Sequence, residues 1–295
     1  MNKSIVRRCL VAGAFVLLAA YPIEMPAQQR YRVAACDWMM LKRQKLGEFQ
    51  LAKDIKADGV EMDMGPLGQR PMFDNKLRDP HFQQLFQRTA DSLGIQVPSL
   101  AMSGFFAQSF LQRDNYRELI ADCLQSMDVV GAKIAFLPLG GCGHEWQQAG
   151  EQHQELVRRL HEVGEMARKA KKIIAIRTAL SAADDLKLLK EVKSKGIKIY
   201  FNLQDAVDQH RNPYKELISL GRKNIAQIHA SLTDSVTLDR DPRIDMRQVR
   251  QTLDRMKWCG WLVIERSRNV ADIHNVKANY GTNVAYLKEL FQEKK

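Results

Sequence analysis

The chain has 295 residues, of which 45% are hydrophobic and 27% charged. That composition excludes a disordered or low-complexity chain and leaves room for one large barrel or two ordinary domains. The formal net charge is +11, yet no dense lysine–arginine block accompanies it. The basic stretch 168–172 (RKAKK) falls at the end of a predicted helix. The charge therefore reads as solvated helix surface, and nucleic acid is not the expected partner.

The first predicted element lies outside the fold. Residues 1–8 (MNKSIVRR) are basic, 9–20 form an apolar run too short to span a bilayer, and 21–29 are small and polar, with Ala27 as the cleavage residue. Residues 1–29 are expected to be a secretory signal peptide and residues 30–295 the mature domain. The protein is then exported, to a bacterial periplasm, with no transmembrane segment after signal removal. Met25 is a poor residue at the third position before cleavage, which keeps an uncleaved anchor open. Cys36, Cys123, Cys142 and Cys259 follow the signal. None belongs to a CxxC pair, and their scatter favours buried free thiols over disulfides or a zinc knuckle.

From Tyr31 onward, short apolar runs alternate with amphipathic stretches. Strands are predicted at 31–36, 59–63, 95–102, 133–139, 172–178, 197–203, 225–232 and 261–266. They are continuous and rich in β-branched residues, as strands buried on both faces should be. Helical spacing recurs at 47–55, 116–130, 155–170, 182–192, 246–256 and 283–291. Leu119, Ile120, Leu124 and Val129 mark the second of these, Leu156, Leu160, Val163 and Met166 the third, and Ser181 caps the fourth. The strand starts are spaced so that each interval holds one crossover helix and no extra domain. Eight such units predict a single α/β domain, a (β/α)8 TIM barrel. An open doubly wound sheet is the runner-up, but it would want a glycine-rich turn after the first strand, where the chain has Cys36-Asp-Trp-Met-Met. The longest tracts without predicted structure, 64–78 and 139–149, both follow strands and so fall on the ligand-binding face of a barrel.

Residues at or just past the strand ends carry the chemistry. They are Asp37 and Trp38, Glu61 and Asp63, Ser103, His144, Arg177, Asn202 and Asp205, His229 and Asp234, and Glu265, Arg266 and Arg268. Glu265 follows four apolar residues, so it is either a general base or metal ligand, or one half of a buried ion pair with a residue such as Arg177. His229, inside Ile-His-Ala-Ser-Leu, reads as a ligand or acid–base group or as a satisfied core histidine. Glu61, placed at the close of the second strand, would orient a hydroxyl or pair with an arginine. His144 and His210 read as surface residues.

Gly-Val-Glu-Met-Asp at 59–63, Ile-His-Ala-Ser-Leu-Thr-Asp at 228–234 and Gly-Trp-Leu-Val-Ile-Glu-Arg-Ser-Arg at 260–268 resemble the xylose-isomerase-like barrels. These are sugar and sugar phosphate isomerases and epimerases, with endonuclease IV as a distant relative. The resemblance covers about residues 31–293. It implies a divalent metal (Mn, Mg or Zn) held by acids ending strands five and six, a histidine on strand seven and a glutamate on strand eight, with glutamates moving a proton beside a sugar carbonyl. His229 and Glu265 match the last two ligands. Arg177 and Asn202 stand where the first two acids belong. Arginine cannot ligate a metal and keeps its charge, and Asn202 is a weak neutral donor, so a standard metal site is not expected.

Two functions remain from the sequence. The first is an exported enzyme that abstracts a proton next to a sugar carbonyl, as isomerase, epimerase or lyase. Glu265 would be the base, His229 acid or ligand, and Arg177 the charge that steadies the enolate. Glu61, Asn202, Asp205, Trp38 and Arg268 would contact a small sugar or keto-glycoside. The second is a non-catalytic carbohydrate-binding relative with a degraded metal site. A nuclease is opposed by the missing ligands and the signal sequence. Oligomeric state is not legible.

Overall fold

The computed structural model describes residues 30–292; the expected signal peptide lies outside them. Eight parallel strands close into a barrel in sequence order. They are β1 (Tyr31–Cys36), β2 (Gly59–Asp63), β3 (Ser99–Ala101), β4 (Ile134–Pro138), β5 (Ile173–Arg177), β6 (Ile197–Asn202), β7 (Ile225–His229) and β8 (Gly260–Ile264). The barrel shuts where β1 pairs with β8, Ala34 opposite Val263. The helices of the outer ring are α1 (Gly47–Asp54), α2 (Pro80–Leu93), α3 (Tyr116–Val130), α4 (Glu151–Lys169), α5 (Ala182–Val192), α6 (Leu203–Asp208), α7 (Pro213–Leu220), α8 (Met246–Arg255) and α9 (Val276–Gln292).

The first two strands and the helices at 116–130 and 182–192 fall where the sequence puts them. The third strand is shorter than 95–102, because Pro98 has no N–H to donate and Gln96 makes only an isolated bridge to Gly59. The sixth stops at Asn202, whose side chain turns back to accept the backbone N–H of Gln204 and so starts α6. The seventh ends at His229 instead of Leu232, and the eighth ends at Ile264, which leaves Glu265 and Arg266 just past the ladder. α4 and α9 begin earlier than predicted. α2, α6 and α7 were not predicted at all, although Asp79 before Pro80 and Asn212 before Pro213 cap two of them. The tract 64–78 ends in a 3-10 turn, and 139–149 holds two more. Cys36, Cys123 and Cys142 are buried free thiols as expected, whereas Cys259 is exposed.

The main core lies between sheet and helices, and a second small cluster fills the lumen: Ala34, Cys36, Trp38, Ala101, Phe136, Ala175, Tyr200 and Val263. Alanines on three strands leave space for the two rings, Phe136 and Tyr200, whose centroids are 4.6 Å apart. Strand side chains alternate between faces, so the residue two places beyond each lumen residue also points inward, one layer higher. Ala175 is followed by Arg177, Tyr200 by Asn202, Gln227 by His229 and Val263 by Glu265. This period of two turns four ordinary strands into a polar cup at their C-terminal ends.

Candidate active site

Glu265, His229 and Arg177 meet in this cup although they come from three different strand ends. Nη1 of Arg177 donates to Oε2 of Glu265 at 3.3 Å, and Nδ1 of His229 lies 3.6 Å from the same oxygen. Among the described residues, the side-chain contacts of Glu265 are made through Oε2. The Glu265 backbone is held from outside the strand: Oγ of Ser231 accepts its N–H at 3.2 Å, and the Tyr280 hydroxyl of α9 donates to its carbonyl at 2.6 Å. Burial pushes the Tyr280 phenol well up, so it stays a donor. Neither residue is apparent from the sequence, because one is a buried serine beyond β7 and the other sits on a helix.

Arg177 is clamped on its other edge by Asp205, in the first turn of α6. Nε and Nη2 donate to the two carboxylate oxygens at 2.9 and 2.6 Å. Burial works against the guanidinium charge, but the Asp205 hydrogen bond and the Glu265 and Asp205 carboxylates outweigh it and hold the group further above its ordinary value. The Arg177 guanidinium also lies over the Phe106 ring, 5.4 Å from its centroid. The buried-ion-pair reading of Glu265 and the convergence of the three groups are thus both present.

The remaining expected site residues divide. Trp38 covers the cup, its ring stacked on Phe136 at 6.4 Å and edge-on to His229 at 6.4 Å. Asn202 reaches His229, with Nδ2 3.4 Å from Nδ1. Glu61 is not at the close of β2 but in its middle, a layer lower, with no exposed surface. Its Oε1 faces Nε2 of His229 at 3.0 Å, and its Oε2 receives the hydroxyls of Ser99 at 2.6 Å and Tyr200 at 2.8 Å. With no exposed surface it cannot meet a substrate hydroxyl in this structure, which corrects its assignment as a sugar contact. Arg268 turns aside to Asp234, donating through Nη2 at 2.6 Å and Nε at 3.2 Å, and has no contact with the three central groups. His229 itself is fully buried, packed against the Trp38, Phe136 and Tyr200 rings. Its two nitrogens face Glu61 on one side and Asn202 and Glu265 on the other. His144 and His210 are exposed.

Asp37 and Asp63, also expected at strand ends, hold loop backbone beside the cup. Asp37 accepts the N–H groups of Gln44 at 2.8 Å and Asp63 at 3.0 Å, and Asp63 accepts those of Gly65 at 2.8 Å and Ser103 at 3.2 Å. Burial, reinforced by repulsion from the Asp37 carboxylate, pushes Asp63 and the neighbouring Glu48 up; burial does the same to Asp37.

The donor set does not fit a divalent metal. Arg177 offers only N–H groups and occupies Oε2 of Glu265. Both Asp205 oxygens are spent on Arg177, and the Asn202 oxygen is spent on Gln204. Among the described residues, no group of three or more His, Cys, Asp or Glu side chains is arranged to hold a metal ion. Hard cations need more anionic oxygen than this cup leaves free.

Residues 49–290 match the profile of the xylose isomerase-like TIM barrel. The chain belongs to that family. No curated protein matches the chain. Many solved structures share the family's fold at low identity. A xylose isomerase domain protein from Planctomyces limnophilus is 16% identical, with a TM-score of 0.64 over 88% of this chain and 96% of that one. The 3-keto-D-glucoside 4-epimerase of E. coli is 15% identical, with a TM-score of 0.68 over 88% and 99%. A probable 3-DHS dehydratase from Bacillus anthracis is 14% identical, with a TM-score of 0.63 over 87% and 98%. At such identities the likeness is one of fold.

Proposed function

We propose that the chain is an exported enzyme that removes a proton from the carbon next to a sugar carbonyl, leading to isomerisation, epimerisation or β-elimination. The observation that carries this reading is the meeting of a carboxylate with a clamped guanidinium, Glu265 and Arg177, 3.3 Å apart at the mouth of the barrel. Glu265 takes the proton. The electron pair left on carbon moves onto the carbonyl oxygen, and Arg177 meets the charge that develops there. The Asp205 clamp fixes the guanidinium in advance, so little reorganisation is needed when the charge appears. His229 lies behind Glu265 and supports it. Trp38 and Phe106 supply apolar surface for a sugar ring.

The family supports a sugar as substrate. The E. coli epimerase acts on a 3-keto-D-glucoside by name, and the Bacillus protein is named a dehydratase, so epimerisation and elimination both occur on this fold. The signal-like residues 1–29 point to export, where free sugars and keto-glycosides fit better than phosphosugars. The second reading, a sugar-binding relative without chemistry, draws on the same ion pair, because Arg177 ties up one Glu265 oxygen.

A panel of free sugars and 3-keto-glycosides, incubated with the wild type and with Glu265→Gln, tests the two. Products from the wild type alone support the enzyme. Binding of a sugar by both proteins with no product from either leaves only the binding reading.

A further inference from the structure

The imidazole of His229 is sealed from solvent, so every neighbour of its two nitrogens must itself be donor or acceptor, with no water to mediate. Two ends of the surrounding network fix those roles. At the first, Asn202 caps α6, its Oδ1 accepting the backbone N–H of Gln204 at 2.9 Å. A backbone amide only donates, so the amide oxygen of Asn202 belongs on that side and its Nδ2 group on the other, 3.4 Å from Nδ1 of His229. An N–H aimed at Nδ1 calls for a lone pair there.

The second end is Glu61. Nε2 of Gln227 lies 2.8 Å from the Ser99 hydroxyl, 2.9 Å from the Tyr200 hydroxyl and 3.3 Å from Oε2 of Glu61. In this orientation only the Gln227 carbonyl oxygen lacks a partner. Turned over, the amide would leave its N–H groups unpaired and set its carbonyl against a carboxylate, which is worse on both counts. The two hydroxyls therefore accept from Gln227 and donate to Glu61. Burial and the Glu61 charge push the Tyr200 phenol well up, which keeps it a donor. Oε2 of Glu61 is thus filled by two O–H donors, which leaves Oε1 as the oxygen that meets His229. That oxygen, 3.0 Å from Nε2 of His229, accepts a hydrogen bond from an N–H on that nitrogen.

Resting on the Glu265 reading above, we propose that Glu61 and Asn202 are positioning residues that hold His229 as a neutral imidazole, proton on Nε2, with the Nδ1 lone pair turned towards Glu265. The proton that Glu265 collects then finds an acceptor beside it: the new carboxyl O–H faces Nδ1, 3.6 Å from Oε2. Nothing else is consumed. The Asn202 amide has a second effect. Its oxygen is spent on the α6 cap and its N–H side faces Nδ1, so the amide at 202, like the guanidinium at 177, offers a cation no donor atom.

The test is 15N NMR of histidine-labelled protein, with the His229 signals assigned by their loss in His229→Asn. The wild type is expected to show the neutral Nε2–H pattern. Asn202→Asp keeps the α6 cap but replaces the N–H by an acceptor, so it should move a proton onto Nδ1. Glu61→Gln should mix the tautomers and lower kcat by about tenfold or more with KM little changed, since no substrate contact is removed. An imidazolium or Nδ1–H pattern in the wild type overturns the proposal, as does an unaltered His229 pattern in Asn202→Asp. The expected patterns in a protein that converts none of the sugars uphold the positioning role while overturning the Glu265 reading.

Discussion

Replacing Arg177 by Met removes the only cation that faces both Glu265 and Asp205 among the described residues, and the consequence can be sized from the geometry. The Arg177 side chain is 14% exposed and the Asp205 and Glu265 side chains 15% and 3%, so water screens them little. At the 3.3 Å separation of Nη1 and Oε2 the gross attraction is about 5 kcal/mol for an effective dielectric of about 20. Most of that is offset in the wild type by the cost of burying the three charges. Removing one partner leaves the others uncompensated, which typically costs about 3–5 kcal/mol. Arg177→Met should lose stability of that order, measured by urea unfolding. Its rate on a converted sugar should fall by about 100-fold or more, because the developing oxyanion loses its partner. Arg177→Lys should fall between, since an ammonium keeps the charge but not the two-point grip on Asp205. If Arg177→Met unfolds within about 1 kcal/mol of the wild type, with a rate within about threefold, the role given to this residue is wrong.

Stability should fall as the solution turns from acidic to neutral. Burial pushes Asp185 up to about 7, and Asp37, Asp63 and Glu48 move in the same direction. A carboxyl raised in the fold binds its proton more tightly there than in the unfolded chain. Its contribution is complete below about pH 4 and is lost as the pH rises through its folded value, at about 1.4 kcal/mol per pH unit for each group. Asp185→Asn, which keeps a partner for the Thr178 hydroxyl now 2.6 Å from Asp185, should flatten that slope in urea melts between about pH 5 and 7. Stability that rises over this range, or a slope the substitution leaves untouched, contradicts the assignment. Elemental analysis of protein purified without added metal should find zinc and manganese well below one ion per chain; one tightly held ion per chain would show that the cup has been misread.

Most of the fold is legible in the chain because a parallel strand buried on both faces is a run of apolar, β-branched residues, and eight such runs carry their own count. What escapes is local or distant. Pro98 cuts the third strand short through a missing donor, a feature the run 95–102 hides. The Asp-Pro and Asn-Pro caps of α2 and α7 were present but unread. In the site, Arg177, His229 and Glu265 stand out because charged residues at the ends of apolar runs are conspicuous. The layer beneath them is not. Glu61 was assigned to the wrong height because a five-residue strand gives no sign of which inward position reaches the cup. Gln227, two residues before His229 and on the same face, was an available signal that a buried polar layer lay below. Ser231 and Tyr280 hold Glu265 from elements that share no local pattern with β8.

The most direct test of the central claim is solvent exchange at the carbon beside the sugar carbonyl. In heavy water the wild type should wash deuterium into a substrate at that carbon, as read by NMR, and Glu265→Gln should not. Exchange by Glu265→Gln at the wild-type rate would contradict the assignment of Glu265 as the base.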